Sequence, residues 1–193
     1  MAYAELLATV GVQRGLIGPR EAPRLWERHL LNCAALTELL PPAADVCDLG
    51  SGAGLPGVVL AIRRPDLQVT LVEPLLRRST FLTEVVECLA LTRVEVVRGR
   101  AEDLHGVRQF DIVTARALAP LPRLLAWSMP LVRPGGQLLA LKGSGATAEL
   151  RDAGAELRRW TSAPAEVVTV GGTEIAPLNT VVRVEAASPS RLG

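Results

Sequence analysis

The chain has 193 residues, of which 49% are hydrophobic, and its 21 basic and 20 acidic residues leave a formal net charge of +1. This length and composition predict one folded domain with a substantial core and, at most, a short appendage. The weak overall charge means that any nucleic-acid partner must be bound by a local basic patch. Three cysteines without CxxC spacing argue against a disulfide framework or a zinc site and favour a cytoplasmic protein.

The sequence predicts neither a membrane-spanning helix nor a signal peptide. No apolar run reaches the roughly 18 residues that a membrane-spanning helix needs. The first residues, MAYAELLATVGVQRG, carry Glu5 early and lack the basic start of a signal peptide. We therefore expect no membrane partner.

The first 42 residues predict a helical segment that packs on the main domain. A short helix is expected over residues 5–10, and Gly11 is expected to break it. Apolar residues then recur at helical spacing over residues 19–40, which predicts an amphipathic helix that Pro41 and Pro42 stop.

Residues 43–186 alternate between short apolar runs and helical patterns. The predicted strands are 44–49, 68–73, 94–98, 110–115 and 136–142. The predicted helices are 57–63, 75–89, 121–130 and 146–159. This alternation predicts an α/β fold with a doubly wound parallel sheet. Two further strands, 167–170 and 180–184, follow without a helix between them and predict an antiparallel pair, and residues 187–193 are expected to form a disordered tail.

The most informative stretch is VCDLGSGAGLPG, residues 46–57, in which an apolar run is followed by glycines at alternate positions. A strand, a glycine-rich turn and a helix start together predict a nucleotide-type pocket. Two registers fit this loop. Residues 52–57 match the GxGxxG pattern of dinucleotide-binding proteins, and Glu73 ends the next strand where a ribose contact is expected. In that register the protein would be an NAD-dependent oxidoreductase.

The other register begins at the carboxylate that ends the apolar run. Asp48 followed by Gly50, Gly52 and Gly54 is similar to the first motif of class I S-adenosylmethionine (SAM) methyltransferases. A carboxylate has no role beside a pyrophosphate, whereas it suits the sulfonium and ammonium groups of SAM. In this register Glu73 accepts hydrogen bonds from both ribose hydroxyls. The second register favours a methyltransferase.

Residues 114–120, TARALAP, follow the fourth strand and carry no obvious general base, no cysteine and no Asn/Asp-Pro-Pro-aromatic sequence. His29 and His105 do not adjoin this segment in sequence and are expected to have surface or packing roles. An acceptor that needs no base, such as guanine N7, fits this pattern, and catalysis would rest on proximity and alignment. We therefore assign no catalytic residue. The missing base also leaves open a noncatalytic SAM- and RNA-binding regulator.

Four stretches occur in order along nearly the whole chain. They are RLWERHLLN at 24–32, the glycine loop, ARA at 115–117 and LALKG at 139–143. On these stretches the chain resembles the RsmG family, also called GidB, of SAM-dependent 16S rRNA guanine-N7 methyltransferases. The resemblance implies a Rossmann-like class I SAM-methyltransferase fold over residues 43–186, with a seven-stranded, mostly parallel sheet and an antiparallel C-terminal strand.

The resemblance also implies a substrate and a partner. The acceptor would be N7 of guanine 527, near the decoding site of 16S rRNA. The partner would be 16S rRNA or the small ribosomal subunit. We expect a monomeric enzyme.

Site residues follow from the same resemblance. The implied SAM contacts beyond the first motif and Glu73 are Leu55, Ala101, Glu102 and Arg116. Arg116 is also a candidate for positioning the substrate, with its guanidinium directed at RNA or at the carboxylate of the cofactor. Lys142, at the end of the fifth strand, is a candidate for holding a phosphate or the guanine edge. Arg28 and Arg123 are expected to extend an RNA-binding rim, and no metal is expected.

Overall fold

The computed structural model describes residues 2–172 and 178–187. Most of the predicted tail, residues 188–193, therefore lies outside the described residues. The seven strands are β1 (Asp45–Leu49), β2 (Gln68–Val72), β3 (Val94–Val97), β4 (Phe110–Arg116), β5 (Val132–Lys142), β6 (Glu166–Val170) and β7 (Asn179–Glu185). The helices are α1 (Ala2–Leu6), α2 (Leu31–Ala35), α3 (Gly57–Arg63), α4 (Leu76–Cys88), α5 (Leu121–Ser128), α6 (Ala146–Asp152) and α7 (Gly154–Trp160).

The strands form one sheet in the order β3-β2-β1-β4-β5-β7-β6. The first five strands run parallel to one another, and β7 runs antiparallel to both β5 and β6. The predicted mostly parallel, seven-stranded sheet with an antiparallel C-terminal strand is confirmed. The strand order reverses between β1 and β4, and ligands of such sheets bind beyond the carboxyl ends of the strands at that reversal.

Both faces of the sheet are buried at its inner strands β1, β2 and β4, which explains why these strands are largely apolar runs. Successive residues of a strand alternate between two apolar clusters, as Val46 and Cys47 do. The first cluster packs the sheet against α1, α3 and α4, and the second packs it against α5, α6 and α7. None of the helices within residues 2–172 and 178–187 is long and apolar enough to cross a membrane.

The N-terminal segment packs on the α3 side of the sheet, and its side chains Tyr3, Leu7 and Leu36 are buried in the first cluster. The prediction that Gly11 breaks the first helix is wrong, because α1 continues through a π-helical turn, Leu7–Gly11, and the backbone stays helical through Gln13. Gly11 is buried in that turn, so tertiary packing offsets its poor helix propensity.

The predicted single helix over residues 19–40 is instead a series of short turns. A 3₁₀ turn, Ala22–Arg24, precedes a π-helical turn, Trp26–Leu30, then α2 and a second 3₁₀ turn, Leu36–Leu39. Leu25 and Leu30 are both buried although they lie five residues apart, whereas Trp26 is 50% exposed. The wider π-helical turn changes which residues share a face, so Trp26 is exposed although it lies four residues before the buried Leu30.

Three other elements differ from the predictions by more than one residue at a boundary. The helix expected over residues 146–159 is divided at Ala153 into α6 and α7. The α-helix expected over 121–130 ends at Ser128, and a 3₁₀ turn that contains Pro130 follows it. The fifth strand begins at Val132, earlier than expected, because its glycine-containing start still pairs with the neighbouring strands.

Candidate cofactor and acceptor site

The glycine loop connects β1 to α3 and is packed from two sides. Gly50 and Gly54 have φ values of +66° and +97°, a conformation that glycine adopts without strain. A Cβ atom on Gly54 would lie 2.8 Å from the Tyr3 hydroxyl, and one on Gly50 would lie 2.5 Å from Leu118 Cδ1. The loop therefore requires glycine at both positions for conformation and for space.

Asp48 lies beneath this loop and is fully buried. Its Oδ2 accepts a hydrogen bond from the Gly57 amide at 2.9 Å, while Oδ1 has no hydrogen-bond partner among the described residues. Burial raises the pKa of Asp48 to about 7, although the Gly57 hydrogen bond opposes that shift. A buried acceptor without a partner is costly, and a cationic or N–H-bearing ligand would satisfy it. The carboxylate thus fits the cationic groups of SAM.

Glu73 follows β2 and is 2% exposed. Its Oε2 accepts a hydrogen bond from the Gly52 amide and its Oε1 accepts one from the Leu75 amide, each at 3.0 Å. The structure therefore brings Glu73 and the glycine loop together, as both registers of the loop require. Each carboxylate oxygen retains a lone pair that a ribose hydroxyl can use.

A cavity of about 140 Å³ opens beside the loop, and Gly50, Ala101, Glu102, Leu118 and Trp127 are in its wall. We call it the cofactor cavity. Ala101 and Glu102 belong to a 3₁₀ turn, Ala101–Leu104, that follows β3. The cavity is smaller than the roughly 300–1,000 Å³ that encloses a drug-sized ligand, so it suits one ring system of a cofactor. Leu55, the remaining loop residue implied to contact SAM, packs against the first apolar cluster.

A larger cavity of about 900 Å³ lies at the carboxyl ends of β4 and β5, and we call it the acceptor cavity. Its wall combines Asn32 of the N-terminal segment, residues 116–120 from the end of β4 onward, residues 141–144 from the end of β5 onward, Glu149 of α6 and the start of β7. Leu118 is in the walls of both cavities. The two cavities therefore adjoin at this side chain.

Lys142 lies in the wall of the acceptor cavity, but its side chain is only 7% exposed. Its Nζ donates hydrogen bonds to Glu149 Oε2 at 2.7 Å and to the Ala119 carbonyl at 2.8 Å. Glu149 Oε2 also accepts a hydrogen bond from the Leu121 amide. The ammonium therefore holds the segment after β4 in place, and two of its three N–H donors are used within the protein.

Arg116 ends β4, and its guanidinium is directed at the N-terminal segment. Its Nη2 donates to the Arg28 carbonyl at 3.2 Å and to His29 Nδ1, and its Nη1 lies 3.6 Å from Cys33 Sγ. His29, which was expected to have a surface or packing role, contacts Arg116, and the fold brings the two together across 87 positions of sequence. His29 belongs to the RLWERHLLN stretch, which carries part of the family resemblance, and this was the feature of the sequence that could have indicated a place near the site.

The two expected RNA-binding arginines lie beside different cavities. The Arg28 side chain is half exposed and forms an ion pair with Glu21 at 3.0 Å, next to Arg116. Arg123 is exposed on α5, and its guanidinium carbon lies 4.5 Å from the centre of the Trp127 ring. Arg28 thus borders the acceptor side and Arg123 the cofactor side.

Two solved methyltransferase structures share this fold. A predicted O-methyltransferase from Agrobacterium tumefaciens matches with a TM-score of 0.63 at 20% identity, covering 83% of this chain and 82% of that protein. The N-methyltransferase NodS from Bradyrhizobium japonicum, solved with S-adenosylhomocysteine, matches with a TM-score of 0.61 at 12% identity. The match covers 93% of this chain and 98% of that protein. The predicted class I SAM-methyltransferase fold is confirmed.

Sequence relatives identify the family. Ribosomal RNA small subunit methyltransferase G of Thermobifida fusca is 63% identical over 191 residues, which cover 99% of this chain and 81% of that protein. Residues 1–175 match the family described as GidB, rRNA small subunit methyltransferase G. These matches confirm the resemblance on which SAM was predicted as the cofactor. The chain therefore belongs to the GidB family of rRNA small subunit methyltransferases.

Proposed function

We propose that this chain transfers a methyl group from SAM to N7 of guanine 527 in 16S rRNA. The observation that carries the choice of acceptor atom is the lack of a free base in the described wall of the acceptor cavity. Its titratable side chains are Arg116, Lys142 and Glu149, and Glu149 is bound to Lys142 and to the Leu121 amide. Guanine N7 carries a free lone pair and needs no deprotonation before methylation. Proximity and alignment then supply catalysis.

The residues around the cofactor cavity fit SAM, which supplies an electrophilic methyl group on a sulfonium. Asp48 Oδ1 would satisfy a cationic group of the cofactor, and the two Glu73 oxygens would accept from the ribose hydroxyls. Ala101 and Glu102 would border the adenine ring. Leu118, which is in the walls of both cavities, would lie between the cofactor and the acceptor.

On the acceptor side, the chain's own side chains orient the RNA. Arg28 is half exposed next to Arg116 and can contact a phosphate. Lys142 retains one N–H beyond its bonds to Glu149 and Ala119 and acts mainly by fixing the segment after β4. The partner in this proposal is 16S rRNA or the small subunit, and the enzyme acts as a cytoplasmic monomer.

The test is methylation of unmethylated small ribosomal subunits and of free 16S rRNA with labelled SAM. We expect N7-methylguanosine to form in at least one of the two substrates. Binding of SAM without formation of N7-methylguanosine in either substrate would contradict the proposal. Calorimetric titration with SAM and with NADH distinguishes this proposal from the dinucleotide register of the loop, since we expect binding of SAM alone.

The same assay addresses a noncatalytic regulator, which the missing base also suggests. A regulator would bind SAM without consuming it, whereas an enzyme releases S-adenosylhomocysteine in proportion to the methylated RNA. We expect equal amounts of both products. Stable SAM after prolonged incubation with RNA would support the regulator instead.

A further inference from the structure

Three side chains connect the outer surface of the N-terminal segment to the end of β4. Glu21 Oε2 lies 2.8 Å from His29 Nε2, and His29 Nδ1 contacts Arg116 Nη2. We call Glu21, His29 and Arg116 the relay. Its central residue belongs to the π-helical turn Trp26–Leu30, which also presents the Arg28 carbonyl to the same guanidinium.

The chemistry of arginine fixes the protonation state of this relay. A guanidinium has only donors and stays charged, so His29 Nδ1 must be the acceptor in its contact with Arg116. The proton of a neutral His29 then sits on Nε2, where it is donated to the Glu21 carboxylate. A protonated His29 would have a donor on both nitrogens and would face the guanidinium with a like charge.

The surroundings of His29 favour the neutral form that this geometry requires. Its side chain is 16% exposed, and burial lowers the pKa of His29, while the hydrogen bond with Glu21 opposes that shift. The charged side chains around it on the N-terminal segment and β4 are Glu21, Arg24, Glu27, Arg28 and Arg116.

The contacts on the N-terminal segment use only part of the donor set of Arg116. Among residues 2–172 and 178–187, Nη2 is engaged by the Arg28 carbonyl and His29, and Nη1 contacts Cys33 Sγ alone. Burial raises the pKa of Cys33 to about 12, so this sulfur is a neutral thiol and a weak acceptor. Arg116 also lines the acceptor cavity, which leaves Nε–H and the second Nη1–H for an anionic ligand group there.

We propose that His29 is a positioning residue that holds the Arg116 guanidinium at the wall of the acceptor cavity, and that it does so only when it is neutral. This inference rests on the proposed function, since it assigns Arg116 the task of binding an anionic group during methyl transfer. Glu21 fixes the tautomer by accepting the Nε2 proton. Loss of His29 acts on turnover only through Arg116.

A double-mutant cycle tests whether His29 acts on turnover through Arg116. His29→Phe removes the acceptor, and we expect kcat/KM on small subunits to fall by about 10–100-fold, the effect of a hydrogen bond to a charged group. The same change in an Arg116→Ala background is expected to alter kcat/KM by less than about twofold, because the group that His29 positions is gone. His29→Asn should recover most of the loss, since its Oδ1 can replace Nδ1 as acceptor.

The outcomes separate this inference from a merely structural role. Additive effects of His29→Phe and Arg116→Ala, in variants that unfold at the wild-type temperature, would overturn it. Should His29→Phe fail to fold, the pH profile of His29→Asn still decides. At saturating SAM, wild-type kcat/KM is expected to fall at acid pH as His29 becomes protonated, and His29→Asn should lose that acid limb.

His105 supplies the matched control, because it is the second of two histidines and its Nε2 contacts the Trp127 carbonyl instead of Arg116. His105→Asn should retain the acid limb. An acid limb that persists in His29→Asn would contradict the inference. A wild-type enzyme that binds SAM but forms no N7-methylguanosine would instead reject the proposed function.

Discussion

At the scale of single residues, Asp48 shows how a binding group lowers stability. Its carboxylate is fully buried, and burial raises its pKa from 3.8 to about 7. The folded protein therefore holds a proton between about pH 4 and pH 7 that the unfolded chain releases. Stability falls as the pH rises through this window, because the folded state must then bury a charge.

We expect wild-type protein to lose about 2–3 kcal/mol of unfolding free energy between pH 5 and pH 8 through this one group. The side chain in Asp48→Asn does not titrate. The difference in unfolding free energy between pH 5 and pH 8 should therefore be smaller in this variant by that amount. Urea unfolding at both pH values measures it. An unchanged pH difference in Asp48→Asn would show that another group carries the effect. The same variant should bind SAM more weakly.

Lys142 is also a residue whose role the structure changes. Its ammonium is bound to Glu149 and the Ala119 carbonyl, so its removal should loosen the segment that carries Leu118. We expect Lys142→Met to lower kcat of methylation at least about tenfold while the Kd for SAM changes by less than about twofold. Single-turnover rates and calorimetry measure the two quantities. Glu149→Gln keeps an acceptor for Nζ and should show a smaller loss; equal losses in SAM binding and turnover would contradict this role.

At the scale of elements, α1 supports the glycine loop. The Tyr3 hydroxyl donates a hydrogen bond to the Ala53 carbonyl at 2.7 Å, and Tyr3 is buried against Gly54. This bond links two segments that are 50 residues apart. The N-terminal segment therefore helps to shape the loop as well as to present His29.

We expect Tyr3→Phe to weaken SAM binding about three- to tenfold, because the loop loses a buried hydrogen bond of ordinary strength. Thr9→Val is a suitable control, since the one partner of the Thr9 hydroxyl in the part of the chain that the structure describes is the Glu5 carbonyl, one turn earlier. Calorimetric Kd values for SAM compare the two variants. Equal Kd values for Tyr3→Phe and Thr9→Val would show that the hydroxyl does not support the loop.

At the scale of the whole molecule, the sequence predicted the features that depend on local residue patterns, such as the strands and the glycine loop. The apolar runs ended by Asp48 and Glu73 indicated strands whose carboxyl ends meet, and the sheet places both beside the glycine loop. The contact between His29 and Arg116 was not predictable from spacing. It depends on a π-helical turn and on how the N-terminal segment packs against the end of β4, both of which tertiary packing decides.

The side-chain partner of Lys142 likewise depends on tertiary packing. Its position at the end of a strand indicated the mouth of the site, and it does line the acceptor cavity. Its partner Glu149 lies on α6, and no periodicity in the sequence states which carboxylate a strand-end lysine will meet. The position of Lys142 followed from the pattern of strands, whereas its partner Glu149 could be identified only from the three-dimensional structure.

The central claim is that this chain methylates N7 of guanine 527 in 16S rRNA. Mass spectrometry of small-subunit rRNA from cells with and without the gene tests it most directly. The claim predicts that N7-methylguanosine at this nucleotide is present with the gene and absent without it. An unchanged modification at that nucleotide in cells without the gene would contradict the claim.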